Sequence, residues 1–110
     1  MTRLDRHGAV AVVHHTGPLR GDSIETWDKQ LEPMLAGGLP QLILDLTETP
    51  LIDGVGLEWI LELDEVCCRR GGCVRICGAG ELCRDILRIT TVGSTVQQFD
   101  DLTAALGSFA

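Results

Sequence analysis

Five cysteines are the side chains of this sequence most able to hold a metal ion or to react with an oxidant. They are crowded into one segment: Cys67, Cys68, Cys73, Cys77 and Cys83. A zinc site usually pairs ligands two to four residues apart in two such pairs, and only Cys73 and Cys77 approach that spacing. The odd number also argues against a disulfide framework. We therefore predict no metal site and interpret the cysteines as small buried residues, with redox sensing as the alternative.

The three histidines and the hydroxyl side chains form no catalytic pattern. His14 and His15 are neighbours on a predicted strand, whose alternation points them to opposite faces, and we expect them at the surface or on an edge strand. The sequence contains no Gly-x-Ser-x-Gly, no His-Glu-x-x-His, no Walker phosphate loop and no tyrosine. We predict no enzyme activity and no cofactor. Three hydroxyls could be modified, although cap and turn roles explain them better: Ser23, Thr47 and Thr49.

The most informative segment is a turn between an apolar run and a predicted helix. Its residues are Asp53, Gly54, Val55, Gly56 and Leu57. Asp53 can accept hydrogen bonds from the free N–H groups of Gly56 and Leu57 at the helix start. The turn has the form of a regulatory loop, yet neither middle position carries a hydroxyl. Three roles stay open: a plain N-cap, a docking loop that offers Asp53 to a basic group, and an anion site that the carboxylate disfavours.

Strands and helices alternate on both sides of this turn. Strands are predicted over residues 3–6, 9–15, 41–46, 73–77 and 95–99. Helices are predicted over residues 22–36, 56–70, 80–89 and 101–106. Because crossovers between parallel strands are right-handed, this order predicts an α/β fold in which about four helices pack on a mixed, mostly parallel sheet of four or five strands. We expect a single domain over residues 1–110.

Local features refine the predicted helices. Asp22 is a good N-cap and Glu25 completes a pattern like a capping box, whereas Pro33 should kink the first helix or split off its last turn. In the third helix we expect three apolar residues to face inward: Leu82, Ile86 and Ile89.

Composition limits the possible partners. The chain has 110 residues, is 45% hydrophobic and carries a net charge of −7. No apolar run approaches the roughly 18 residues that cross a bilayer, and residues 9–13 are too short for a signal peptide. The largest basic cluster is Arg69-Arg70, which is too small for a nucleic-acid surface. We therefore predict a cytoplasmic domain whose partner is a protein.

The second predicted helix divides into three faces at 100° per residue. The predicted core face contains Leu57, Ile60, Leu61, Cys67 and Cys68, and the predicted solvated face contains Glu58, Glu62, Glu65 and Arg69. A third stripe lies largely opposite the core: Trp59, Leu63, Val66 and Arg70. An exposed tryptophan beside apolar residues is typical of an interface centre, so we expect Trp59→Ala to weaken partner binding with little loss of stability. Coverage by a neighbouring helix, or a dimer contact, is the alternative.

Residues 42–70 resemble the central strand, loop and second helix of the STAS domain, which bacterial anti-sigma factor antagonists share with the cytoplasmic tails of sulphate transporters. In that pattern an apolar strand ends in an aspartate, and a second aspartate precedes two small residues and Gly-Leu. The matching residues are Asp45, Asp53, Gly56 and Leu57. The flanking segments also resemble the family's, namely Gly17-Pro18-Leu19, Gly71-Gly72 and residues 87–105.

The resemblance implies a protein-binding regulatory module, but two residues depart from the pattern. In the antagonists a serine phosphorylated by the partner kinase follows the loop aspartate, whereas here Gly54 and then Val55 follow, and neither accepts a phosphate. Thr91 stands where the family often has glycine. The resemblance therefore implies a divergent antagonist that binds an anti-sigma factor or a kinase-fold protein through residues 53–57 and the second helix. The alternatives are the STAS subunit of a lipid-transport ABC system, which binds the ATPase, and a scaffold subunit of a stress-signalling complex.

Overall fold

A five-stranded sheet in the order β1-β2-β3-β4-β5 organises the fold. The structure is a computed structural model that describes residues 3–109. The strands are β1 Arg3–His7, β2 Val10–His14, β3 Gln41–Asp45, β4 Cys73–Cys77 and β5 Gln97–Phe99. The helices are α1 Gly21–Ala36, α2 Gly54–Arg69, α3 Glu81–Arg88, α4 Thr91–Thr95 and α5 Leu102–Gly107. β1 is antiparallel to β2 and the other neighbours are parallel, which confirms the predicted α/β fold class.

Helices cover both faces of the sheet. The larger core lies between one face and helices α1 to α4, and it includes Leu42, Leu44 and Ile76 of the central strands. On the other face Val12 and Ile43 pack with residues of α5. Because β2 and β3 are covered on both sides, their sequences are mostly continuous apolar runs rather than alternating ones.

The first helix differs from its prediction at its N-terminal cap, whereas its C-terminal end at Ala36 agrees. Its N-cap is Arg20, whose side chain makes no capping bond, whereas Asp22 lies in the first turn and pairs with Arg20 at 3.6 Å. Asp22 is therefore not the N-cap. Pro33 does not split off the last turn, since α1 continues to Ala36. Pro33 has no N–H to donate to the Lys29 carbonyl, but both residues are exposed, so water can bond to that carbonyl.

The inward face predicted for the third helix is wrong. Leu82 is 54% exposed, Ile89 is 81% exposed and Ile86 is half-buried. The buried residues of α3 are Cys83 and Leu87. Both sets keep helical spacing, so periodicity alone does not decide which set faces the core.

His14, the last residue of β2, and His15 directly after it are not surface residues on an edge strand, because β2 lies between β1 and β3. His15 is buried, where its Nδ1 accepts a hydrogen bond from the Trp27 indole at 3.0 Å and its Nε2 donates to the Pro18 carbonyl at 3.0 Å. His14 is directed to the other face, and Asp45 and Asp5 flank its ring. The two histidines therefore serve different environments.

The predicted domain boundaries are not tested, since Met1, Thr2 and Ala110 lie outside the described residues and the single domain over 1–110 stays a prediction. Within residues 3–109, no helix combines the length and the apolar character needed to cross a bilayer.

Candidate functional site

The loop that follows β3 begins at a hydrogen-bonded aspartate. Asp45 Oδ1 accepts hydrogen bonds from the backbone N–H of Thr47, at 3.0 Å, and from its hydroxyl, and Asp45 Oδ2 lies 2.8 Å from His14 Nδ1. Burial alone would raise the pKa of Asp45, but these hydrogen bonds hold it below its ordinary value of 3.8. The carboxylate therefore fixes the chain direction as it leaves the sheet, and Thr47 has the predicted turn role.

Thr49 anchors the middle of the loop. Its hydroxyl donates to the His15 carbonyl at 2.9 Å, and its own carbonyl accepts the Cys83 thiol at 3.2 Å. Thr49 is buried, so the hydroxyl is not presented to solvent. Its structural role matches the turn interpretation made from the sequence.

A short backbone bridge holds the end of the loop. Leu19 N–H donates to the Leu51 carbonyl at 2.9 Å, and Asp53 N–H donates to the Leu19 carbonyl at 3.1 Å. Leu19 and Ile52 thereby form an isolated parallel bridge outside the main sheet. The residues just before α2 are thus attached to the segment that precedes α1.

Asp53 is the N-cap of α2. Its Oδ1 accepts the Gly56 N–H at 2.7 Å, as predicted, whereas the Leu57 N–H donates to the Asp53 backbone carbonyl at 3.0 Å rather than to the side chain. The helix begins at Gly54, two residues before the predicted start. An N-cap residue directly precedes the first helical residue, and its side chain bonds to the N–H of the third residue after it, so Gly56 lies inside the first turn rather than at the helix start.

The two glycines of the first turn have opposite environments. A Cβ atom at Gly56 would lie 2.7 Å from the Leu19 carbonyl oxygen and 2.9 Å from Ile52 Cγ2, so only glycine fits without movement. A Cβ atom at Gly54 would meet nothing within 4 Å. Beside it, Val55 is 53% exposed. Gly54 and Val55 therefore form the accessible tip of the site. Gly56 holds this tip in place by packing closely against Leu19 and Ile52.

The predicted exposure of the third stripe of α2 is wrong. Trp59 and Leu63 are each 4% exposed, and the Trp59 indole N–H donates to Asp28 Oδ1 of α1 at 2.8 Å. Val66 is half-buried and Arg70 is exposed, and both border a shallow hollow against α1. The neighbouring first helix covers most of the stripe, which was the alternative considered. Trp59 and Leu63 are not available to a partner on this surface.

The rest of α2 is rotated relative to the predicted faces. Ile60 and Cys67 are buried as predicted, whereas Leu57 and Leu61 are half-buried and Cys68 is exposed. The predicted solvated face is exposed: Glu58, Glu62, Glu65 and Arg69.

One buried residue of α2 was missed. Asp64 is buried, and its Oδ1 accepts the Val74 backbone N–H at 3.2 Å and the Cys68 thiol at 3.6 Å. An isolated carboxylate on a helix carries no sequence signal for such a structural role.

The cysteines are mostly structural. Cys67, Cys77 and Cys83 are buried, Cys73 is half-buried, and burial raises the pKa of Cys67 and of Cys77 to about 12. At neutral pH these thiols therefore stay protonated. Among residues 3–109, no group of three or more histidine, cysteine or acidic side chains could hold a metal ion.

Comparison with solved structures shows the same fold in other proteins. A protein of Thermotoga maritima superposes with a TM-score of 0.89 and 18% identity, covering 97% of this chain and 92% of that one. An anti-sigma factor antagonist from Mycobacterium paratuberculosis gives a TM-score of 0.85 and 21% identity, with coverages of 98% and 92%. A sulfate transporter family protein from Wolinella succinogenes gives a TM-score of 0.79 and 20% identity, covering 91% of this chain and 84% of that one.

No curated protein sequence matches the chain. The family model of the STAS domain, in contrast, matches residues 2–105. This match includes all five strands, the loop after β3 and the capped start of α2. This chain therefore belongs to the STAS domain family.

Proposed function

We propose that this chain is a protein-binding regulatory module of the anti-sigma factor antagonist type, acting in cytoplasmic signalling and transcription control without a phosphoacceptor at its docking loop. The observation that carries the proposal is the accessible tip, Gly54 and Val55, at the start of α2. Asp53 caps the helix beneath it, and close packing at Gly56 fixes its position. A rigid, exposed loop of this kind suits recognition by another polypeptide, and no catalytic group accompanies it.

The module is proposed to be permanently competent for binding. A phosphate adds a charge of about −1.5 to −2 and would change docking at a helix start, but neither glycine nor valine can accept one. Control would then come from expression or from the partner. Ser23 and Thr47 are weaker candidates for modification, since Ser23 is half-buried and the Thr47 hydroxyl is engaged by Asp45.

The proposed contact residues differ in their accessibility. Asp53, Gly54, Val55 and Leu57 would meet the partner directly. Trp59 would act only by holding α2 in place through its packing and its bond to Asp28.

A charge placed at the tip tests this docking site. Val55→Asp is expected to weaken binding to the anti-sigma factor that the unaltered chain captures at least tenfold, measured by isothermal titration calorimetry, because it places an unpaired carboxylate in a dry interface. Leu39→Asp is the matched control, since Leu39 has a similar exposure away from the loop. Unchanged affinity for Val55→Asp would overturn the proposed site. Binding to an ABC ATPase in place of the anti-sigma factor would assign the chain to lipid transport.

Restoring the hydroxyl tests the proposed absence of a switch. Gly54→Ser has room for its side chain and is expected to become phosphorylated by a partner kinase, and the phosphorylated form should lose affinity. Gly54→Ala controls for the change of backbone freedom. Phosphate incorporation into the unaltered chain would contradict the proposal.

A further inference from the structure

The carboxyl ends of β4 and β5 border a crevice that lies outside residues 53–57. The two strands are adjacent and parallel. The chain leaves β4 toward α3, which packs in the larger core, whereas it leaves β5 toward α5, which packs on the other face of the sheet. Where neighbouring strands are followed by helices on opposite faces, a crevice opens at the strand ends, and ligands of α/β proteins bind in such crevices.

A cavity of about 650 Å³ occupies this place. Gly78 directly follows β4 and Phe99 ends β5, and both residues line the cavity. The Gly78 N–H donates to the Phe99 carbonyl at 3.2 Å, so the two strand ends are joined where the cavity begins. The volume lies within the range of about 300–1,000 Å³ that is typical of small-molecule sites.

Opposite charges line this cavity without pairing. Arg84 of α3 and Asp100 after β5 both line it, and within residues 3–109 neither forms an ion pair. Asp101 also lines the cavity, but its Oδ1 accepts the Ala104 N–H at 2.8 Å as the cap of α5. A small ligand that carries an anionic and a cationic group close together would pair with Arg84 and Asp100 at once.

Apolar surface lies beside these charges. Phe99 and Leu102 are half-buried where β5 leads into α5, and Ala79 is half-buried where β4 leads into α3. All three residues line the same cavity. An apolar group of a ligand would therefore remove part of this surface from water and gain binding free energy.

We propose that this crevice binds a free α-amino acid with an apolar side chain. Arg84 binds the carboxylate, since the guanidinium fork matches carboxylate geometry, and Asp100 binds the ammonium group. The apolar side chain packs against Phe99 and Leu102. This inference goes beyond the proposed function, because it adds a small-molecule ligand at a place separate from residues 53–57.

The same residues disfavour ligands with a single charge. A simple carboxylate or phosphate would meet the acidic Asp100 and Asp101 beside Arg84. A simple amine would leave the Arg84 guanidinium without an anionic partner. Selectivity for a zwitterion therefore comes from repulsion of each incomplete ligand as well as from attraction of the complete one.

Three related probes separate the two charges of the ligand. L-phenylalanine carries both, 3-phenylpropionate lacks the ammonium group, and 2-phenylethylamine lacks the carboxylate. In a two-dimensional NMR titration at millimolar concentration, L-phenylalanine is expected to shift the amide signals of Gly78, Phe99 and Leu102. Each single-charge probe should bind at least tenfold more weakly, since each loses one charge-assisted contact.

Two variants test the two contacts separately. Arg84→Gln should weaken L-phenylalanine binding about tenfold and should not weaken 2-phenylethylamine binding. Asp100→Asn should weaken L-phenylalanine binding about tenfold and should not weaken 3-phenylpropionate binding. Arg88→Gln is the matched control and should bind L-phenylalanine as the unaltered chain does, because Arg88 is an exposed arginine one turn further along α3 that lines a neighbouring hollow and pairs with Asp85 at 2.9 Å.

Several results would overturn the inference. These are no shift with either L-phenylalanine or L-leucine at millimolar concentration, shifts located away from the ends of β4 and β5, or unchanged affinity in both Arg84→Gln and Asp100→Asn. Equal binding of L-phenylalanine and one single-charge probe would make the crevice a simple anion or cation site and would also overturn it. Val55→Asp should bind L-phenylalanine normally, so this inference and the proposed docking site fail independently.

Discussion

Replacement of Trp59 distinguishes a structural from a recognition role for this side chain. The indole is 4% exposed between α2 and α1, and its N–H donates to Asp28 Oδ1 at 2.8 Å. Truncation of a buried aromatic residue to alanine costs about 3–5 kcal/mol, through lost transfer energy and the cavity left behind. Asp28 is itself exposed, so water can satisfy its carboxylate and no large penalty for an unpaired charge is added. We therefore expect Trp59→Ala to lower the free energy of unfolding by about 3–5 kcal/mol.

Urea unfolding followed by circular dichroism at 222 nm measures this loss without relying on tryptophan fluorescence. Domains of this size have a free energy of unfolding of about 5–15 kcal/mol, so the alanine variant can approach instability. Trp59→Phe keeps an aromatic ring and removes the hydrogen bond, and it should cost about 1–2 kcal/mol. Leu39→Ala, at an exposed position, should stay within about 0.5 kcal/mol of the unaltered protein. A loss below about 1 kcal/mol for Trp59→Ala, combined with weaker partner binding, would refute the structural role.

Three further outcomes follow from the site. Gly56→Ala should destabilise the protein by about 1–2 kcal/mol in urea unfolding, because overpacking against Leu19 outweighs the gain in helix propensity, whereas Gly54→Ala should be neutral or stabilising by up to about 1 kcal/mol. In the folded protein at pH 8, a thiol reagent should label Cys68 and spare Cys67, whose pKa is about 12, as peptide mapping would detect. The lowered pKa of Asp45 gives a stabilisation that is present above about pH 4 and is lost as pH falls through the folded-state pKa. Asp45→Asn should therefore destabilise at pH 7 and differ less from the unaltered protein at pH 3, in unfolding measured across that range.

The strands were predictable because their signals are local. The boundaries of β4 agree with the prediction, and those of β3 agree to within one residue. β3 is a short apolar run that ends at a turn, and β4 is apolar except for Arg75 and ends before Gly78. The cap at Asp53 was equally predictable, because a capping carboxylate acts within three residues of itself. The resemblance to the STAS family lay in the order and spacing of these same elements and in the residues of the loop, and the family model over residues 2–105 confirms it.

Helix orientation was harder to predict, because it depends on what packs from elsewhere in the chain. Trp59 and Leu63 fit an exposed stripe on a helical wheel, but α1 lies over them, and nothing within residues 54–69 signals that coverage. In α3 the more hydrophobic stripe, which includes Leu82 and Ile89, faces solvent, while Cys83 and Leu87 face the core. A hydrophobic residue on a surface that binds a partner has the same sequence signal as one in the core.

The backbone hydrogen bonds of Leu19 determine whether the loop must change its conformation when a partner binds. Its N–H bonds to Leu51 and its carbonyl bonds to Asp53, so the loop is ordered before any partner arrives. Loops that must become ordered on association reduce the affinity and slow the encounter, whereas a preorganised loop avoids that entropic cost. Complex formation by this chain should therefore resemble rigid docking, with a rate set by diffusion and by the acidic surface rather than by rearrangement.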